Sequence, residues 1–133
     1  MRAQNRFETS VRNDLSELGR VTEEIHAFLA PHDIKPQVLY ALDVVLEELL
    51  SNTIKYSFGD GRLHEILVTM AVRPERLVLN LEDDGREFDP FQVPAPDTGQ
   101  APEERQVGGL GIHLVRQMCR NAQYRRRGDR NVM

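Results

Sequence analysis

Apolar positions along the 133-residue chain change period several times, and each change predicts an element. Phe7, Thr9 and Val11 alternate with polar neighbours, which reads as a strand over Phe7 to Val11. Leu15, Leu18, Val21, Ile25, Phe28 and Leu29 then recur at helical spacing. Asn13 or Asp14 is placed to cap that helix, and Pro31 to end it. A second helix is predicted from Pro36, a favourable first-turn residue. Its broad apolar face is built from Val38, Leu39, Leu42, Val45, Leu46, Leu49, Leu50 and Ile54, so it should be heavily buried. The turn Phe58-Gly59-Asp60-Gly61 closes it. Two alternating stretches follow, Leu63 to Val72 and Leu77 to Leu81. With Arg73-Pro74-Glu75-Arg76 between them they read as a hairpin.

Regularity then lapses. Residues 91–107 hold three prolines and no periodicity, and a stretch of that length in a compact domain is commonly a functional loop or lid. Gly108-Gly109-Leu110-Gly111 opens a third helix through about Asn121, with Ile112, Leu114, Val115, Met118 and Cys119 as its apolar positions. Tyr124 begins a further strand, and Asn131-Val132-Met133 a last one. The length suits one domain, 1–133.

Charge refines this picture. Residues 1–104 carry 10 basic and 20 acidic side chains, whereas residues 105–133 carry seven arginines and one aspartate. A net charge of −4 does not read as a nucleic-acid binder, because phosphate backbones need a basic face. The run Arg125-Arg126-Arg127 reads as a solvated strand face, having only Tyr124 as an aromatic companion. No apolar run approaches the ~20 residues of a membrane span, and the start lacks a signal-peptide stretch. One cysteine, Cys119, excludes an internal disulfide. A cytoplasmic location is expected.

Three short motifs carry candidate chemistry. Glu48 and Asn52 are four apart and so share one face of the second helix. A carboxylate there can serve as a general base, and an amide oxygen can ligate a hard cation; the same pair also fits a solvated polar stripe. Asp83-Asp84-Gly85 ends a strand, where a carboxylate can accept a hydrogen bond from an exocyclic amine. Gly85 would permit positive φ and close approach of a ligand, though a plain acidic turn has the same composition. The glycines before the third helix expose amides suited to phosphate oxygens, or form a hinge.

Taken in order, Glu48-x-x-x-Asn52, Asp83-x-Gly85 and Gly109-x-Gly111 resemble the N box and the two glycine boxes of the GHKL ATP-binding superfamily. That group includes gyrase-type ATPases and histidine kinases. The stretches from Asp83 to Pro90 and from Gly108 to Val115, together with the chain length, resemble the small anti-sigma-factor serine/threonine kinases of bacterial partner-switching modules. Tyr56 stands where several of those kinases carry histidine, and Asn52-x-x-Lys55-Tyr56 is similar to histidine kinases.

The resemblance implies an α/β two-layer sandwich, the histidine-kinase-like ATPase fold, with a mixed, mainly antiparallel sheet and helices on one face. It implies ATP and magnesium as cofactors. Glu48 would act as base toward the attacking hydroxyl, and Asn52 would ligate magnesium. Asp83 would bind the adenine amino group, with Gly85 letting the base approach. Gly109, Gly111 and the helix start at Ile112 would hold phosphates. Residues 91–107 would form the ATP lid, and Arg105 would reach the γ-phosphate. The final strand would continue beyond Met133, so the last edge strand is expected to be incomplete. The implied activity is phosphorylation of a small anti-sigma-factor antagonist, with a sigma factor or similar regulator held in competition. A homodimer is implied too. A nucleotide-gated binding regulator without phosphate transfer, and a histidine-kinase-like catalytic domain, are the alternatives.

Overall fold

The computed structural model describes residues 4–92 and 109–133. Strand β1 (Arg6–Arg12) is followed by a short turn of 3-10 helix at Leu15–Glu17 and helix α1 (Leu18–Leu29). The Asp14 side chain accepts from the Ser16 amide and so caps this entry. Helix α1 ends at Leu29, but the chain makes one more tight turn through Pro31, because proline is tolerated in a first turn. Asp33 then reverses the path in the left-handed region, at φ 53°.

Lys35 is extended, as a residue before proline must be, and Pro36 begins α2 (Pro36–Tyr56). Strands β2 (Glu65–Arg73) and β3 (Arg76–Asp83) form the expected hairpin around Pro74-Glu75. Helix α3 runs Gly109–Met118, ending before the expected Asn121, and β4 (Arg125–Arg127) and β5 (Arg130–Val132) close the described chain.

The five strands lie in the order β1-β2-β3-β5-β4, and every described pairing is antiparallel, so the parallel component of a mixed sheet is not seen among the described residues. The register places Val11 opposite Ile66, Thr9 opposite Val68, and Val68 opposite Leu81. These positions and Met70 therefore share one face, which α1, α2 and α3 cover. The core is formed by Val11, Ile66, Val68, Met70 and Leu81 from the sheet, with Val21, Ile25, Leu46, Leu50, Ile112 and Val115 from the helices. Burying each large aliphatic side chain contributes roughly 1.5–3 kcal/mol. Period two continues along β3, so Asp83 points to the same side as Leu81, at the seam between sheet and helices.

Candidate functional site

Helix α2 carries the first pair. Asn52 is 6% exposed, and its amide nitrogen donates to the Glu48 carbonyl at 2.7 Å. That bond turns the Asn52 nitrogen back toward its own helix. Its Oδ1, for which no donor is found among the described residues, remains the acceptor end. Glu48 is half-buried, and burial raises its pKa above the usual carboxylate value, with the neighbouring Glu47 charge adding to the shift. A carboxylate raised in this way is a better proton acceptor than an exposed one.

Asp83 is 1% exposed at the end of β3. Its Oδ1 accepts from the Gly85 amide at 2.8 Å and from Asn131 Nδ2 at 2.9 Å. Its Oδ2 is buried with no hydrogen-bond partner among the described residues. Burial raises the Asp83 pKa, while the Asn131 and Gly85 hydrogen bonds pull it back. An unpaired buried acceptor costs about 1–3 kcal/mol, so it marks a place where a donor is missing.

The turn after Asp83 is docked on the end of α2. The Arg86 amide donates to the Ser57 carbonyl at 2.9 Å, and Arg86 Nε donates to the Tyr56 carbonyl at 2.7 Å. Gly85 lies in the seam. A Cβ there would sit 2.4 Å from the Ser57 carbonyl oxygen. The positive φ expected at Gly85 is not found; among the described residues only Gly61 and Gly128 are glycines of that kind. Gly85 is required because backbone approaches backbone, not because the turn needs a left-handed residue.

Of the phosphate-loop residues, Gly109 and Gly111 lie in the first turn of α3, where helix amides lack intrahelical acceptors. Ile112 is buried in the core, so any ligand contact it makes comes from its backbone. Arg105 and the lid expected over 91–107 lie outside the described residues, except Phe91 and Gln92.

Three residues of the site escape a reading of the sequence: Asn131, Tyr124 and Arg126. Arg126 lies opposite Asn131, and Asn131 opposite Asp83, so the three form one row across β4, β5 and β3. Arg125 and Arg127 are exposed as expected, but Arg126 Nη1 donates to the Gly85 carbonyl at 2.7 Å and to Asn131 Oδ1 at 3.0 Å. A second unforeseen cluster flanks the turn. His64 places Nε2 2.8 Å from Asp60 and Nδ1 3.0 Å from Asp84, with its ring stacked on Phe58 at 4.5 Å. Among the described residues no group of His, Cys, Asp and Glu is arranged to hold a metal ion by itself. None of their helices is long and apolar enough to cross a membrane.

A family profile described as histidine kinase-like ATPase domain matches residues 11–133. The chain belongs to this family. Within the histidine kinase-like ATPases it is similar to the serine/threonine-protein kinase BtrW of Bordetella bronchiseptica, 27% identical over 92 residues, which cover 69% of this chain and 65% of BtrW. It is also similar to the serine-protein kinase RsbW of Listeria monocytogenes, 27% identical over 78 residues, covering 56% of this chain and 50% of that protein. RsbW of Listeria innocua is 26% identical over 78 residues, with the same coverage. The chain spans between half and two thirds of the length of these curated relatives. Membership in the histidine kinase-like ATPases makes this a nucleotide-binding, kinase-like domain.

Proposed function

We propose that this chain is an ATP-dependent serine/threonine kinase that phosphorylates a small anti-sigma-factor antagonist, and that it holds a sigma factor or similar regulator in competition with that antagonist. The observation that carries the nucleotide reading is the buried Oδ2 of Asp83, which has no hydrogen-bond partner among the described residues. It is an acceptor awaiting a donor, and the exocyclic amine of adenine is one. The kinase names of the relatives support the transfer.

Glu48 takes the proton of the attacking hydroxyl on its carboxylate, a task helped by its raised pKa. Asn52 Oδ1, an oxygen acceptor on an amide whose nitrogen is turned to the Glu48 carbonyl, fits a magnesium ligand. Magnesium supplies charge neutralisation across the phosphates when bound. The first-turn amides of Gly109 and Gly111 hold phosphate oxygens, and Arg105 adds positive charge toward the γ-phosphate. A phosphate placed on the antagonist adds negative charge at the interface and weakens its hold, so ATP determines which protein is retained.

Incubation with labelled ATP, magnesium and partners captured from cell extract tests this directly. Acid-stable label on a serine or threonine of a small protein is expected. Glu48→Ala should lower transfer by about 10²–10⁴-fold while leaving nucleotide bound. Asn52→Ala should remove the magnesium-dependent part of ATP affinity. Tight ATP binding with no transfer would point to a nucleotide-gated binding regulator, and acid-labile label to a histidine kinase.

A further inference from the structure

We propose that Asn131 is a positioning residue for base recognition: its side-chain amide holds the Asp83 carboxylate so that Oδ2 alone faces an exocyclic amine. This rests on the reading of Asp83 as the adenine contact.

A carboxylate rotates almost freely about its last bond and offers two equivalent oxygens. At Asp83 the equivalence is broken. Oδ1 is saturated by the Gly85 amide and Asn131 Nδ2, and Oδ2 has no hydrogen-bond partner among the described residues. Gly85 is part of the same turn and moves with it. Asn131 comes from β5 and supplies the anchor from outside.

The direction of the Asn131 amide is fixed by five neighbours. Its Oδ1 accepts from the Tyr124 hydroxyl at 2.5 Å, Arg126 Nη1 at 3.0 Å and the Phe88 amide at 3.4 Å. Its Nδ2 faces acceptors only: Asp83 Oδ1 at 2.9 Å and the Arg86 carbonyl at 2.8 Å. A flipped amide would set its N–H groups against two obligate donors, Arg126 Nη1 and the Phe88 amide, and its oxygen against two acceptors. At 1% exposure, water does not rescue such a mismatch.

The chemical consequence is a one-sided reader. A lone carboxylate acceptor pairs with an amine at purine position 6 and repels a carbonyl there. Asn131, itself held by Tyr124 and Arg126 of the β4–β5 hairpin, thus acts on base selectivity without touching the base.

The test compares the affinity of the whole chain for ATP with that for purine riboside 5′-triphosphate, which lacks the 6-amino group, by titration calorimetry. Wild type should prefer ATP on the order of tenfold or more. Asn131→Ala should bring the ratio within about threefold of unity while changing the affinity for the analogue by less than about twofold. A merely structural defect would weaken both nucleotides together and leave the ratio standing. Asp83→Asn should abolish the preference.

If wild type shows no preference, or Asp83→Asn keeps it, the adenine reading and this inference both fall. If the preference exists and is lost in Asp83→Asn but persists in folded Asn131→Ala, only the role of Asn131 is overturned. Should Asn131→Ala lack a cooperative melt, Tyr124→Phe carries the test. It leaves Asn131 in place, releases one donor from its oxygen and should lower the ratio about twofold; an unchanged ratio overturns the assignment.

Discussion

Replacing Gly85 by alanine perturbs the site through a single methyl group. The added Cβ would lie 2.4 Å from the Ser57 carbonyl oxygen, 2.8 Å from Ser57 Cβ and 2.9 Å from Asp83 Oδ1. Real Cβ atoms essentially never approach another heavy atom within 3.0 Å. The nearest obstacle is backbone at the end of α2, in a residue only 2% exposed, so it has no side-chain torsion by which to yield. The turn must therefore lift away from the helix. Two hydrogen bonds go with it: Arg86 amide to Ser57 carbonyl, 2.9 Å, and Gly85 amide to Asp83 Oδ1, 2.8 Å. Overpacking costs about 1–3 kcal/mol, and each lost hydrogen bond about 1 kcal/mol. After partial relaxation the expected destabilisation is about 2–4 kcal/mol.

For a chain of this size that corresponds to a Tm lower by roughly 8–15 °C. Scanning calorimetry of wild type and Gly85→Ala gives the number directly. Because the methyl also presses on Asp83 Oδ1, ATP affinity should fall about tenfold in protein that is still folded. A Tm within about 2 °C of wild type, together with ATP affinity within about twofold, would refute the argument. It would mean that the turn is not seated on α2 as described.

Asp83→Asn should melt higher than wild type at pH 7 while losing its preference for adenine. Burial raises the folded pKa of Asp83 above its ordinary 3.8, so the fold is penalised for keeping it charged. That penalty is full above the raised pKa and disappears as the pH falls toward 3.8, where the two Tm values should converge. His64 works in the opposite sense. Both its ring nitrogens face carboxylates, which favours the protonated form, and the Asp60 and Asp84 hydrogen bonds raise its pKa. Its contribution is full below about 6.5 and is lost as pH rises through the raised folded value; wild-type Tm should fall across that window, and Tm of His64→Gln should not. The acid limb of the phosphotransfer rate should lie above the ordinary 4.5 of glutamate, because burial raises Glu48. A pH–rate profile still flat below 4.5 would remove Glu48 as the base.

Much of this architecture is written in local patterns. Pro36 at the start of α2, alternation along β2 and β3, and the Pro74-Glu75 turn are decided within a few residues of themselves, and the structure follows them. Glu48 and Asn52 share a face because helix geometry allows nothing else. Asn131 is different. Its meaning depends on lying opposite Asp83, 48 positions earlier, and that register is set by the whole sheet. Arg126 is hidden for the same reason. In the run Arg125-Arg126-Arg127 the three side chains look alike, but period two turns the middle one inward to Gly85 and Asn131. His26 lies on the α1–α2 seam with Nε2 2.7 Å from Asp43, a contact that likewise depends on which helices are neighbours.

The two ends of the proposed nucleotide site are mechanically joined by α2. Asn52, the proposed magnesium ligand, and Tyr56, whose carbonyl holds Arg86 of the proposed base-reading turn, are four residues apart, about one helical turn. Helix α2 is packed into the core through Leu46, Leu49 and Leu50, so this spacing does not flex independently of the domain. The turn is gripped again from the opposite side by Arg126 and Asn131 on the β4–β5 hairpin. A displacement of that hairpin would therefore reach Asp83 first and, through Arg86 and the end of α2, Asn52 second. Tyr124 hydrogen-bonds to Asn131, and Arg126 to Asn131 and the Gly85 carbonyl, and neither is assigned to the proposed magnesium or base contacts. Their substitution should still change base preference before it changes magnesium dependence, and that order of effects follows from the path of contacts alone.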